Sequence, residues 1–261
     1  IVAVGETADM SGEAASRTSL DLPGRQLELL QAIHRTGKPY AVVLMNGRPL
    51  SINWVAENSP AILETWFAGT RGGEAIADAL FGDYNPGGKL PVTFPRNVGQ
   101  APLYYNQTPT GRPPTAEKYT SKYLDVPVPP LYPFGHGLSY TTFRLSNLRL
   151  GAPRIPAAGS VDVSVDVENT GRRAGDEVVQ IYIRDVAASR VRPVKELKGF
   201  RRVTLQPGER RTLAFKLTPA ELGLYNQEMR FVVEPGQFKV FAGRSSADPE
   251  QLEATFEVTA R

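Results

Sequence analysis

"SVDVSVDVENTG", residues 160–171, alternates without a break. Val161, Val163, Val165 and Val167 fall on one face of an extended chain, because successive side chains of a strand point to opposite sides. That is the signature of a strand with one face in a core and the other in water. The same period of two continues in "EVVQIYI", "RTLAFKL", "MRFVVEPGQFKVFAG" and "LEATFEVT", divided by turn signals such as "TGRRAGD" and "QPGE". Short strands at this spacing with no helix between them predict an antiparallel sandwich of immunoglobulin or fibronectin type over residues 143–261.

Moving towards the N-terminus, residues 96–142 lose all period. "TPTGRPPTAEKYTSKYLDVPVPPLYPFGHG" carries too much proline for a helix or a central strand. It is also too aromatic for a plain disordered linker, since Tyr104, Tyr105, Tyr119, Tyr123 and Tyr132 need surfaces to pack on. The reading is an ordered connector laid over another surface.

Residues 1–95 follow a third logic. "IVAVGE", "YAVVLMNG" and "AILETWF" are continuous apolar runs, the pattern of strands buried on both faces. "DLPGRQLELLQAIHRTGK" has proline in its first turn, Leu27, Leu30 and Ile33 on one face, and Gly37 at its end, all of which predict a helix. "GGEAIADALFGD" predicts a second, with Ile76, Ala77 and Leu80 inward. "YNPGGKLPVTFP" reads as a turn and a final extended piece. Alternating strands and helices predict a parallel sheet, and ligands of such sheets bind outside the carboxyl ends of the strands. The loops there are residues 5–19, 46–49 and 66–73. The first is about three times the usual connection of ~4–6 residues and carries Glu6, Asp9, Glu13 and Arg17.

Composition narrows the chemistry. The 261 residues suggest two domains, and 41% hydrophobic with 22% charged residues describes an ordinary globular chain. A net charge of +3 without a basic cluster argues against a nucleic-acid partner. "GFRRV" and "GERRT" are interrupted by strand residues and read as a solvated sheet face. No apolar run approaches the roughly 18 residues of a membrane helix. Cysteine is absent, and His34 and His136 are the only histidines, so neither a disulfide nor a thiolate or multi-histidine metal site is expected. "GTRGG" before a helix fits neither phosphate-loop pattern, and no G-x-S-x-G elbow occurs. The chain opens on "IVAV" with neither an initiator Met nor a signal peptide, which reads as the C-terminal part of a longer polypeptide or one piece of a cleaved one.

"SGEAASR", "LMNGRPL", "AILETWFAGTRGGEAIADALFGDYNPGGKLPVTFPR", "LYPFGHGLSYTTF", "VENTGRRAGDEVVQIYI", "RPVKELKGFRRVTLQPGE" and "EPGQFKVFAG" occur in this order. Together they closely resemble glycoside hydrolase family 3, the bacterial periplasmic β-glucosidase type in particular, nearly end to end. The resemblance implies a multidomain fold: the C-terminal part of an α/β sandwich with a mainly parallel sheet over 1–95, the connector over 96–142, and an all-β fibronectin type III-like domain over 143–261. An N-terminal barrel would be missing.

The resemblance also implies a retaining exo-acting β-glucosidase that needs no cofactor or metal and works in the periplasm or outside the cell. Such an enzyme uses two carboxyl groups about 5–5.5 Å apart. The nucleophile aspartate of the family lies on the barrel and has no match here. The acid/base glutamate lies in a loop of the second domain, and by position it is Glu13 in "SGEAASR"; Glu6 and Asp9 fit the motif less well. Arg17 is expected to hold this loop by pairing with an acid, and so to serve substrate binding, or else simply to face water. The connector tip around 111–122 is expected to help form a site for the leaving sugar in the same or a neighbouring subunit, with a pyranose stacked on Tyr119 or on the adjoining Tyr123; the alternative is a surface strap that only ties two domains together. Trp54 and Trp66 read as core, and His136 as part of a turn. The partners implied are a β-glucoside oligosaccharide, the barrel portion of the same enzyme and, as a further arrangement, a second copy. The competing readings are a non-catalytic module that binds carbohydrate or a partner, and an unrelated nucleotide-binding α/β domain.

Overall fold

The computed structural model describes residues 1–260 and divides into two units. The first comprises residues 1–84, 92–103 and 123–132. Its strands are β1 (Val2–Gly5), β2 (Val42–Met45) and β3 (Ile62–Glu64), and its helices are α1 (Gln26–Arg35), α2 (Asn53–Asn58) and α3 (Gly72–Phe81). The sheet is parallel in the order β1-β2-β3, with Val2 opposite Val42 and Val42 opposite Ile62. Val4, Val42, Val43 and Leu44 are buried, as a sheet covered on both faces requires.

The helices differ in detail from the sequence reading. On α1 Leu30 is fully buried, but Leu27 is exposed and Ile33 only half-buried. On α3 the buried residue is Ala79, while Ile76, Ala77 and Leu80 are half-buried. Each expected apolar face is therefore only partly covered within this unit. Helix α2 is a single short turn and a half whose burial rests on Val55. The extended piece after α3 contributes Phe94, which is buried and bridges Tyr132 in antiparallel fashion.

The second unit comprises residues 85–91, 104–122 and 133 onward. One sheet has the order β4-β6-β9, from Phe143–Leu150, Val161–Asn169 and Arg210–Leu217. The other has the order β5-β13-β12-β7-β8, from Arg154–Pro156, Leu252–Thr259, Gly236–Gly243, Gly175–Asp185 and Glu196–Leu205. All neighbours are antiparallel except β5 and β13. Between β9 and β12 lie α4 (Pro219–Leu222) and a two-stranded ribbon of β10 (Leu224–Tyr225) and β11 (Phe231–Val232). The four valines of β6 are all buried, in one core with Val179, Ile181, Ile183, Phe238, Val240, Phe256 and Val258. Each such side chain contributes about 1.5–3 kcal/mol on leaving water.

The connector residues are divided between the two units. Residues 104–107 and 133–137 lie on the outer face of the larger sheet. Tyr105 stacks on Phe134 at 4.3 Å and meets Tyr182 edge-on at 5.8 Å. Its hydroxyl accepts the Leu197 N–H, and Gln180 Nε2 donates to Gly135 O. Tyr182 is fully buried as a result, with its hydroxyl donating to Gln180. Lys89 pairs with Glu177 at 2.7 Å beneath the same strap.

Candidate functional site

The site begins where β1 stops. Gly5 has φ +136, and a Cβ there would overlap the carbonyl oxygen of Met45 on β2. Only glycine permits so close an approach. Gln26, the first residue of α1, clasps the same point: Oε1 accepts Gly5 N–H at 2.7 Å and Nε2 donates to Gly5 O at 2.9 Å. The strand end is thereby fixed to both its neighbours.

Glu6 follows, and its side chain is entirely buried. A buried carboxylate must be paired and hydrogen-bonded. Arg17 Nη1 meets Glu6 Oε1 at 2.6 Å, Arg48 Nε lies 3.0 Å from the same oxygen, and Gly47 N–H donates to Oε2 at 3.2 Å. The two arginines use their remaining donors on the loop. Arg48 Nη2 donates to the carbonyls of Met10 and Ala15, and Arg17 Nη2 donates to Asp21 O at 2.9 Å. A loop much longer than a connection needs is thus gathered around one buried charge.

Glu13 stands between the two carbonyls that Arg48 holds. Its neighbour Ala14 has φ +57, a left-handed backbone uncommon for a residue with a side chain. The Glu13 side chain is exposed, and among the described residues it has no hydrogen-bond or ion-pair partner. The rival acids are engaged. Glu6 is held by the arginines, and Asp9 is kept below the usual carboxylate range by hydrogen bonds from Thr7 and its own backbone.

The other two loops of the edge complete the cluster. Gly47 lies against Ser11 and Phe67 so closely that a Cβ would collide with both. Glu64 ends β3 and accepts the Trp66 N–H at 2.9 Å, and Trp66 itself has φ +52. Burial raises the Glu64 carboxyl to about 7, against the opposing influence of the Trp66 N–H and the Asn46 side chain. Neither Glu64 nor Arg48 stood out in the sequence; Glu64 sits inside an apolar run, and Arg48 is recognisable only through its spatial partners.

Of the expected site residues, Arg17 is brought onto Glu6, beneath the loop that carries Glu13. Tyr119 belongs to the second unit and Tyr123 to the first, and both are exposed. Around Tyr119 an open groove of about 720 Å³ is lined by Arg112, Glu117 and Thr120 among others. Its wall is shaped by Lys122, whose ammonium donates to the carbonyls of Thr115, Ala116 and Glu117 at 3.1, 2.9 and 2.7 Å. Trp54 packs edge-on against His34, and Trp66 lies 5.8 Å from Phe94, so both rings are half-buried among aromatic neighbours. His136 accepts the Leu90 N–H through its carbonyl, in the turn expected for it. Among the described residues no group of three or more His, Asp or Glu side chains is arranged as metal ligands.

Comparison with known proteins now adds to this geometry. Residues 1–140 match the glycosyl hydrolase family 3 C-terminal domain, and residues 177–246 match a fibronectin type III-like domain. A periplasmic beta-glucosidase of Salmonella typhimurium is 53% identical over 254 residues, covering 96% of this chain and 33% of the relative. A beta-xylosidase of Formosa agariphila is 52% identical over 246 residues, covering 94% and 34%. The crystal structure of a beta-glucosidase from Listeria innocua in complex with glucose superposes with a TM-score of 0.95 at 44% identity, covering 98% of this chain and 36% of that one. The chain spans about a third of the length of the curated relatives it matches.

Proposed function

The chain belongs to glycosyl hydrolase family 3, and from that premise we propose that it is the C-terminal part of a retaining, exo-acting β-glucosidase. It removes terminal β-D-glucosyl residues when joined to a barrel domain that supplies the nucleophile aspartate. Glu13 is the acid/base. It protonates the leaving oxygen and, once the glycosyl-enzyme has formed, takes a proton from the attacking water. The observation that carries this reading is the Glu6–Arg17–Arg48 cluster, which holds the backbone on both sides of Glu13 and leaves that carboxyl alone free. Arg17 acts on substrate through the loop it orders. Tyr119 and Tyr123 offer exposed ring faces on which a leaving pyranose stacks. A relative named as periplasmic supports a periplasmic or secreted setting. No cofactor is required by this chemistry.

The decisive experiment uses the chain completed by its barrel. Glu13→Gln is expected to lose ~10²–10⁴ in turnover of cellobiose, whose leaving group needs a proton, and less on aryl glucosides. Added azide restores deglycosylation and yields a glycosyl azide. Wild-type kinetics on cellobiose would assign the acid elsewhere. Parallel assays on aryl β-glucoside and β-xyloside test the sugar, since relatives of both names exist.

One observation favours a second reading, a carbohydrate-binding module. Tyr225 and Phe231 on the β10–β11 ribbon are exposed and pack edge-on at 5.3 Å. Retention of the 261-residue chain on insoluble glucan, lost in Tyr225→Ala, would support it.

A further inference from the structure

Glu64 ends β3 on the same sheet edge as Glu6 and Asn46, but its chemistry differs from theirs. Oε1 accepts the Trp66 N–H, whereas Oε2 is buried without a hydrogen-bond partner, and so is Asn46 Oδ1. Both atoms are acceptors, and a carboxylate has no hydrogen to give either of them. The Asn46 amide interacts with the carboxyl group, and its Nδ2 donates to Arg48 O at 2.7 Å. Arg48 in turn holds the carbonyls of Met10 and Ala15, on either side of Glu13.

We propose that Glu64 is a positioning residue that sits in the loop cluster as a neutral carboxylic acid, its proton supplying the donor these two buried acceptors lack. Through Asn46 and Arg48 it keeps the Glu13 loop in place; this last step rests on the acid/base role given to Glu13 above. Desolvation supports the neutral form, raising the group to about 7. The charged groups at the neighbouring strand ends, Glu6, Arg17 and Arg48, are paired with one another. The influences that oppose burial come from the uncharged Trp66 N–H and the uncharged Asn46 side chain.

The unfolded chain gives up this proton near the ordinary value of 4.5, before the folded one does. Stability therefore falls as pH rises from about 4.5 to about 7 and levels off above. Infrared spectroscopy of the 261-residue chain reads the group directly. A protonated-carboxyl band that persists at about pH 6 and disappears in Glu64→Gln is expected, because ordinary carboxyls are ionised there. Absence of that band overturns the proposal, whatever Glu13 does.

The positioning role is read in the barrel-completed enzyme. Glu64→Ala is expected to lower kcat about 10–100-fold, and Glu64→Gln, which keeps a donor, to restore it and to hold activity at higher pH than wild type. Wild-type kcat in Glu64→Ala overturns this part. Should Glu64→Ala fail to fold, the pH profile of Glu64→Gln decides, and a profile unchanged from wild type counts against the proposal. Full turnover by Glu13→Gln would remove the acid/base assignment and leave the infrared result standing, so the two failures are distinguishable.

Discussion

Arg17 Nη1 lies 2.6 Å from Glu6 Oε1, and the carboxylate it meets is wholly buried. Removing one member of such a cluster strands the charge of the others. Glu6→Ala is expected to cost about 3–5 kcal/mol. Arg17→Ala should cost less, about 1–3 kcal/mol, because Arg48 and the Gly47 N–H still meet the carboxylate. Urea unfolding of the 261-residue chain measures both. A Glu6→Ala change within about 0.5 kcal/mol of wild type would deny the cluster its structural role.

Glu13 should behave in the opposite way. An exposed side chain without partners contributes little to the fold, so Glu13→Gln is expected within about 0.5 kcal/mol of wild type in the same assay. On the function proposed above, the unmutated 261-residue chain holds one carboxyl group of a two-carboxyl mechanism and should show no enzymatic turnover of an aryl β-glucoside. Turnover by this chain alone at enzymatic rates sinks the reading.

The sandwich has its own pH signature. Lys195 donates to Ser246 O at 2.7 Å and lies 4.8 Å from the centroid of the Phe241 ring. Burial lowers its ammonium to about 8, against the pull of Asp248 and Glu253. Between about 8 and its ordinary 10.5 the unfolded chain still binds a proton that the folded chain has released. Stability should therefore rise with pH in that window, and Lys195→Met should flatten the rise. Thermal melts of the two proteins across the window decide it.

Phe238 and Phe256 stack at 5.4 Å in the middle of that core. Phe256→Ala is expected to cost about 3–5 kcal/mol, transfer and cavity terms together. Denaturant unfolding followed by far-ultraviolet circular dichroism measures the loss.

The connector tip separates a sugar site from a plain strap. Tyr119→Ala in the barrel-completed enzyme should weaken use of disaccharide while aryl-glucoside turnover is largely kept. Stacking on one ring is worth about 0.5–1.5 kcal/mol, so KM for cellobiose should rise by about 2–10-fold. An unchanged KM with a lowered melting temperature would mark Tyr119 as packing only.

Much of this architecture was legible from period alone. The valines of β6 point inward as their alternation demands, and the apolar runs of β1 and β2 lie in a parallel sheet. Helix α2 was invisible because "NWVAEN" is too short to display a helical stripe. Strand β8 shows in the sequence only as a solvated face, since Phe200, Arg201 and Arg202 are exposed and only Val203 and Leu205, at its end, are buried. The loop's importance was visible in its length and acids, but the division of labour among them was not. Arg48 reaches Glu6 across 42 residues, and no local pattern encodes a contact at that separation. Glu64 was hidden for a related reason: an acid inside an apolar run looks like a strand end until its buried oxygens are counted.

Gly5 and Gly47 limit which substitutions this sequence can carry. Any side chain at residue 5 must displace the Met45 carbonyl, and any at residue 47 must push away Ser11 and Phe67. Either change would drag the Glu6 cluster with it, and with that the loop that carries Glu13. Tolerance to substitution along the loop is therefore uneven. Exposed positions without partners among the described residues, such as Ser16 and Thr18, tolerate substitution, whereas two residues with no side chain at all fix the shape of the site.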